Sequence, residues 1–480
     1  MITLSIAEIA EITGGRLAGG ADPDAVVTRF VEFDSRKITP GGLFVALPGE
    51  RVDGHRFAAS AVEQGAVAVL AARETDAPTI VVPADSDSDA DVTAAVLTAL
   101  SALARHVSET LAGKGLTIIG VTGSAGKTST KDLLAAVFAA AGPTVAPPGS
   151  FNNELGHPYT VLRCEESTRY LVAEMSARGV GHIAHLATIA RPEIGVVLNV
   201  GSAHLGEFGS RENIALAKGE LVEALPADGV AVLNADDDAV LSMRSRTSAR
   251  VVTFSAAGDR DADYTATDVE LDDVARASFT LNGPGFAPLR VSLKVFGAHQ
   301  VSNSLAAAAA AIEHGLDPAA VATALSSHTA ASAHRMDVQT RADGVTVIND
   351  SYNANPESMR AAIAALAYTA TAHPGSRSIA VLGEMGELGG DGVEAHRKLG
   401  EDLATFHIDT LVTVGAGELT HATADVAVQR GLTVYQAADV GEAADVVNSL
   451  LGRGGPEVRD VVLVKASNSA QLWRVAERIL

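Results

Sequence analysis

The part of the sequence best suited to chemistry is a glycine-rich turn, Gly120-Val-Thr-Gly-Ser-Ala-Gly-Lys-Thr128. Gly123 and Gly126 let backbone N–H groups crowd around phosphate oxygens, and a helix starting there adds a favourable dipole. Lys127 would hold the β- and γ-phosphates of a nucleotide, and the Thr128 hydroxyl would reach Mg2+. Nucleotide contacts are expected along Gly123, Ser124, Ala125, Gly126, Lys127, Thr128 and Ser129. The spacing departs from the standard phosphate loop, because Val121 stands where a glycine is usual, five positions before Gly126. Context supports the reading. An apolar strand over 117–121 precedes the turn, and a helix with the apolar face Leu133, Leu134, Val137 and Phe138 follows it, closing at Gly142.

Other side chains acquire chemical meaning from their elements. Glu174 ends an apolar run, Tyr170–Met175, and open α/β sheets place ligands at such strand ends. A solvated loop carboxylate is the plain alternative. His204 follows the apolar run Ile194–Val200 by a few residues, and a lone histidine is more often structural. Lys218 falls in a helical stretch, where sequence alone reads a surface lysine. For Asp350 the plain alternative is a helix cap before Pro356.

The elements that would position these residues fall into three regions: 1–110, 111–332 and 333–480. In the first, 43–47 and 66–71 read as strands and 92–111 as a helix leading into the next region. In the second, strands alternate with helical segments, which favours a parallel sheet covered on both faces. Residues 263–296 shift to shorter β-like stretches, and 301–314 form an alanine-rich helix ended by Gly315 and Pro318. The third region alternates strands at 345–349, 378–382, 410–414, 432–435 and 461–464 with helices, an independent α/β domain. The fold class is therefore α/β with three domains.

With 480 residues and a hydrophobic fraction of 47%, several cores can form. Acidic residues outnumber basic ones 58 to 36, a formal charge of −22, which argues against a duplex-binding protein. Cys164 is the single cysteine, so neither an intrachain disulfide nor a thiolate metal cluster is expected. The first ten residues lack a signal-peptide pattern, and no apolar run suggests a membrane span. A cytoplasmic enzyme, monomeric and without nucleic-acid partners, is expected.

The motifs also resemble, in order, those of the Mur ligase family. Thr122–Thr128 is similar to the family's shortened phosphate loop. Phe151-Asn-Asn-Glu-Leu-Gly156, Glu174-Met-Ser-Ala-Arg-Gly179, Ala203-His-Leu205, Ala217-Lys-Gly-Glu220, Gly297-Ala-His-Gln-Val-Ser-Asn303, His334-Arg335 and Asp350-Ser-Tyr-Asn-Ala-Asn355 resemble its later markers. The N-terminal Phe33-Asp-Ser-Arg-Lys37, with 42–46 and 49–55, resembles the uridine-binding domain of its later-acting members. The resemblance implies a small uridine-binding α/β domain, a central ATP-binding domain and a Rossmann-like third domain that closes on ATP.

It further implies ATP-dependent amide formation through an acyl phosphate. Glu174, His204 and Thr128 would serve the metal, two Mg2+ ions in all, and Lys218 would carry an N6-carboxyl group. His299 and Asn303 would lie at adenine, Asp350 at ribose and Arg335 at the γ-phosphate. Lys127, Lys218, His204 and Arg335 are the implied catalytic set. Substrate contacts would come from Ser35 and Arg36 at the uridine end, with Asp53 and His55 nearby. Asn152, Asn153, Arg178, Tyr352, Asn353, Asn355, Lys465 and Ser467 would complete them. Asp350–Pro356 and Gly383–Gly389 resemble the branch that adds D-alanyl-D-alanine to UDP-N-acetylmuramoyl-tripeptide, in peptidoglycan precursor synthesis. Lys465-Ala-Ser-Asn468 departs from that branch's usual Lys-Gly-Ser-Arg. A diaminopimelate- or lysine-adding ligase, a folylpolyglutamate-type ligase and a non-catalytic nucleotide sensor remain as alternatives.

Overall fold

The computed structural model describes all residues except 50–51, 203–204, 259–260, 374 and 452–458. Three large sheets, each flanked by helices, organise the chain. The first has the strand order Arg16–Ala18, Thr79–Val81, Ala66–Ala71, Gly42–Val45, Val31–Glu32, and only its Arg16–Ala18 edge is antiparallel.

From it the chain enters the helix Asp89–Ala112. Ser88 caps this helix by accepting the Asp91 amide, and Asp89 and Asp91 complement the dipole in its first turn. The cap explains why the helix begins three residues before the apolar stripe does. Val92, Val96, Leu100, Leu103, Val107 and Leu111 form that stripe and are buried. They join Leu43, Leu70 and Ile80 of the first sheet to Ile118 and Leu171 of the second, and to Leu221 of a helix covering it, in one continuous core.

The central sheet has nine strands. Seven are parallel, in the order Tyr264–Leu271, Arg250–Ser255, Val230–Asn234, Ile194–Val197, Thr117–Thr122, Tyr170–Glu174, Thr144–Val145. From Tyr264–Leu271, the strands Arg276–Asn282 and Leu289–Phe296 extend it as an antiparallel meander. Thr117–Thr122 lies between strands that follow it in sequence on either side, so the order reverses there and a crevice opens at its carboxyl end. The glycine turn leaves that end. Its helix, Lys127–Ala139, packs on the alanine-rich helix Gln300–Glu313, where Ala306–Ala311 are fully buried and let the backbones approach.

The third sheet has the order Asp337–Thr340, Thr346–Asn349, Val461–Lys465, Ser378–Leu382, Thr410–Val414, Thr433–Ala437 and is parallel apart from its first strand. Apolar clusters cover both faces. Its carboxyl ends, with Asp350 and Lys465, face the crevice of the central sheet across a shared cavity. Among the described residues, no helix is long and apolar enough to cross a membrane.

Candidate active site

A cavity of about 510 Å3 runs between the central and third sheets. The glycine turn forms one wall. Gly126 begins the following helix at φ +81°, a left-handed conformation, and a Cβ there would stand 2.7 Å from Asn303 Oδ1. Asn199, which motif reading does not single out, clamps the turn. Its Oδ1 accepts the Ala125 amide at 2.8 Å and its Nδ2 donates to Ala125 O at 3.1 Å. Ser124 Oγ accepts the Gly201 amide at 2.9 Å. The turn is thus fixed before any ligand arrives. Lys127 Nζ donates to Gly123 O at 2.7 Å, and burial lowers its pKa while Glu174 opposes the shift and Arg335 adds to it. Gly126→Ala should weaken nucleotide binding by about tenfold or more, since left-handed backbone costs an L-residue about 1–2 kcal/mol before the Asn303 clash is counted. Calorimetric titration with ADP measures this.

Glu174 ends its strand and is only 1% exposed. Its Oε1 accepts from Asn152 Nδ2 at 2.7 Å and from Thr128 Oγ1 at 3.3 Å. Its Oε2 is buried without a hydrogen-bond partner among the described residues. An orphan buried carboxylate oxygen is costly, and a cation in the cavity removes the cost. The neighbouring donors are oxygens, Thr128 Oγ1 and Ser150 Oγ, 2.9 Å apart. No cluster of three His, Cys, Asp or Glu side chains occurs among the described residues. Such a sparse, hard donor set suits a divalent ion that keeps waters and takes phosphate oxygens. His204 lies outside the described residues.

Lys218 departs from the plain reading of its helix, because it is 4% exposed rather than on the surface. Burial pushes its pKa well below 10.5, the Lys127 charge pushes the same way, and Glu357 opposes. Two residues on, Glu220 accepts the Gly181 and Ala184 amides at 2.5 and 2.9 Å and so fixes the start of the helix His182–Ile189.

The third sheet supplies the opposite wall. Arg335 Nη2 donates to Ser150 Oγ at 2.7 Å, and its guanidinium lies 4.3 Å from the Tyr352 ring centre. Its neighbours His334 and Met336 are held at φ +59° and +48°, strained for side-chain-bearing residues. The third domain imposes this strain: the Tyr352 amide donates to His334 O, the Met336 amide donates to Asp350 Oδ1, and the His334 ring stacks on Trp473.

Asp350 is not a helix cap. Asn355 caps Pro356–Ala372 by accepting the Ser358 amide, and its Nδ2 approaches Ser124 O at 3.4 Å. Glu357 Oε1 accepts the Ser202 amide and hydroxyl at 2.7 and 2.9 Å. The two domains therefore meet at the glycine turn.

Buried Lys465 borders the cavity but directs its ammonium at Asp350 Oδ2, Asp350 O and Asn353 O, at 2.6, 3.3 and 2.7 Å. It holds the wall that carries Tyr352 and Asn353. Ser467 Oγ accepts the Gly386 amide at 2.7 Å and pins the 383–389 loop. Ala466 is accommodated because Gly383 faces it: a Cβ on Gly383 would lie 2.8 Å from the Ala466 methyl.

His299, Asn303, Asn152, Asn153 and Arg178 also line the cavity. Burial lowers the His299 pKa, with Asp350 opposing and Lys465 adding. Arg178 reaches across to Glu387 at 3.2 Å. Ser35 and Arg36 lie outside the cavity lining, in a short turn where the Arg36 guanidinium pairs with Asp34. That turn is still close by, since the Phe33 ring stacks on Phe151, next to Asn152. Asp53 accepts from the His55 ring at 2.6 Å, and Arg73 links Asp53 to Asp89.

A phosphate turn opposed by an arginine from another domain defines a phosphate-handling enzyme of the α/β class. Residues 121–311 match the Mur ligase middle domain, 334–468 the Mur ligase glutamate ligase domain, and 27–112 the Mur ligase family catalytic domain. The chain belongs to the Mur ligase family. It is 52% identical to the UDP-N-acetylmuramoyl-tripeptide--D-alanyl-D-alanine ligase of Mycobacterium bovis, over 100% of this chain and 98% of that one. To the Escherichia coli ligase of the same name it is 34% identical, over 100% and 99%. The crystal structure of MurF from Acinetobacter baumannii superposes with a TM-score of 0.85 at 29% identity, covering 99% of this chain and 98% of that one. MurF from Thermotoga maritima, in complex with ADP, superposes with 0.75 at 29% identity, covering 94% and 97%.

Proposed function

We propose that this chain is an ATP-dependent ligase that joins D-alanyl-D-alanine to the C-terminal carboxylate of UDP-N-acetylmuramoyl-tripeptide, yielding the UDP-linked pentapeptide, ADP and phosphate. The observation that carries the proposal is the meeting of Lys127, Glu174 and Arg335 from two domains around one cavity. Amide formation needs that meeting. A carboxylate resists an amine because its carbonyl is resonance-stabilised and its leaving group is poor. Transfer of the γ-phosphoryl group makes an acyl phosphate, which the dipeptide amine attacks through a tetrahedral intermediate. Two anions must approach in the first step, so fixed cations and metal are required.

On this reading the turn amides and Lys127 hold the phosphates, and Arg335 stabilises charge on the γ-phosphoryl group. Glu174 and Thr128 would hold Mg2+, which supplies charge neutralisation for the phosphoryl transfer. His204 is assigned to the metal on family resemblance alone. Lys218, whose amine burial shifts toward the neutral form, would add CO2 to give a carbamate with release of a proton and so supply a carboxylate to the site. His299, Asn303 and Asp350 take the nucleoside. Asn152, Asn153 and Arg178 face the peptide end of the cavity, with Ser35 and Arg36 toward uridine. Tyr352, Asn353 and Asn355, set by Lys465 and Ser467, border the dipeptide.

Domains at 1–110, 111–332 and 333–480 then bind UDP-substrate, bind ATP and close over both. ATP and a nucleotide-activated substrate belong to the cytoplasm, and on this reading so does the enzyme.

An ADP-release assay with UDP-N-acetylmuramoyl-tripeptide tests the proposal. Sustained ADP release is expected only when D-alanyl-D-alanine is also present. Tight ATP binding without turnover, or turnover with a folate in place of the UDP-substrate, overturns it.

A further inference from the structure

Lys131 lies one turn beyond Lys127 on the phosphate-turn helix, and the reaction outlined above makes no use of it. It is 2% exposed. Its ammonium pairs with the adjacent Asp132, donates to Pro147 O at 3.1 Å and approaches Ser332 Oγ at 3.4 Å. Burying an ammonium is costly, and an apolar side chain would fill a helix face at less expense.

The partners indicate what the charge holds. Pro147 opens the segment that carries Ser150, which touches both Thr128 and Arg335, and Asn152, which fixes Glu174. Ser332 lies three residues before Arg335 on the crossing between the central and third domains. The crossing also borders a small gap. A second cavity of about 20 Å3, bordered by Ser129, Asp132, Gln300, Ser332 and Arg335, separates it from the helix. On either side of Arg335, His334 and Met336 are tied to the third domain by the Tyr352 amide, Asp350 and Trp473. Lys131 is therefore a central-domain anchor on the near side of the arginine.

We infer that Lys131 is a positioning residue for phosphoryl transfer: by tethering the Pro147 segment and the Ser332 crossing together, it sets Ser150 and Arg335 against the phosphate turn. This rests on the proposed role of Arg335 at the γ-phosphate. The tether makes no direct contact with the amides of the turn, Lys127 or Glu174, and reaches Glu174 only through Asn152, so its loss is felt more where the third phosphate sits than in diphosphate binding.

The test uses the full-length protein with Lys131→Met, Ser332→Ala and Arg335→Ala, alone and in pairs. Ser332→Ala keeps the buried ion pair intact and carries the test if Lys131→Met, which strands Asp132, fails to fold. Ligation rate, KM for the UDP-substrate, and Kd for ADP and for a non-hydrolysable ATP analogue are measured. Expected are a kcat about tenfold lower for Ser332→Ala and about a hundredfold lower for Lys131→Met, with KM for the UDP-substrate within about twofold. Both variants should lose any preference for the triphosphate analogue over ADP. Added to Arg335→Ala, each should cost less than about twofold more. Folded variants with unchanged kcat, or losses that multiply with that of Arg335→Ala, overturn the inference. An unchanged kcat in Arg335→Ala itself removes the γ-phosphate reading, a failure distinct from the other two.

Discussion

Lys127→Ala is expected to reduce ligation by about a thousandfold or more while leaving affinity for the UDP-linked substrate within a few-fold. The asymmetry follows from where the side chain stands. Lys127 is held over the glycine turn by Gly123 O and lines the cavity beside Glu174 and Arg335, so on the proposed reading its charge would act on the transferring phosphate. The Ser35–Lys37 turn lies outside the lining of that cavity, and the first sheet packs in a core cluster other than that of the Lys127 helix. A second effect adds to the first. Burial is the main cause that holds Lys218 below its ordinary pKa and the Lys127 charge the next, so the variant shifts that amine toward protonation and away from carboxylation. ADP release and calorimetric titration with UDP-N-acetylmuramoyl-tripeptide separate the two quantities. Loss of both together means that the uridine and phosphate ends of the substrate are not divided between domains as proposed.

The asymmetry also bears on which parts can move. The first sheet and the central sheet share one apolar core through the helix Asp89–Ala112 and behave as one body. The third domain meets that body through polar contacts, among them Asn355 to Ser124, Glu357 to Ser202 and Arg178 to Glu387, with Phe296 packed on its apolar core. On the proposed reading it would be the third domain that opens and closes around ligands.

Local pattern made much of this architecture legible. Ala66–Ala71, Ser378–Leu382 and Thr410–Val414 form strands at the expected residues, because apolar β-prone runs bounded by turns leave little alternative. Val230–Asn234 and Arg250–Ser255 were not singled out as strands. Short apolar runs of this length carry no period that distinguishes them from buried helix. In the site, Glu174 was readable as a strand-end carboxylate, and its place confirms that geometry.

Other features depend on residues distant in sequence and were invisible for that reason. Asn199 clamps Ala125 from 74 positions away, and Arg335 finds Ser150 at a separation of 185. The burial of Lys218 could not be read from its own helix, which gives no polar face that would distinguish an inward lysine from an outward one. Lys465, expected among the substrate contacts, donates to Asp350 and Asn353, partners brought to it by the third sheet's adjacent strand ends.

Lys218→Met should be inactive to within about a hundredth to a thousandth of the wild-type rate, yet at least as stable. The sign follows from linkage. Folded, unmodified Lys218 has a pKa well below its ordinary 10.5, so the unfolded chain binds a proton there that the native chain gives up. That difference destabilises the unmodified fold as pH falls from about 10.5 toward the lowered pKa, below which the loss levels off. A methionine of similar length escapes it, and thermal melts near neutral pH should show an equal or higher Tm.

Activity moves the other way. CO2 reacts only with the neutral amine, so rising pH through the lowered pKa favours the carboxylated lysine, and added bicarbonate should raise the rate most on the acid side. In Lys218→Ala the side chain leaves room where the carboxylate stood, and acetate or propionate should restore part of the ligation rate. The same anions should do nothing for Lys127→Ala, whose missing group is a cation. A fully active Lys218→Met protein would show that the buried amine serves only the fold, and the depressed pKa would then be a consequence of packing without a part in the chemistry.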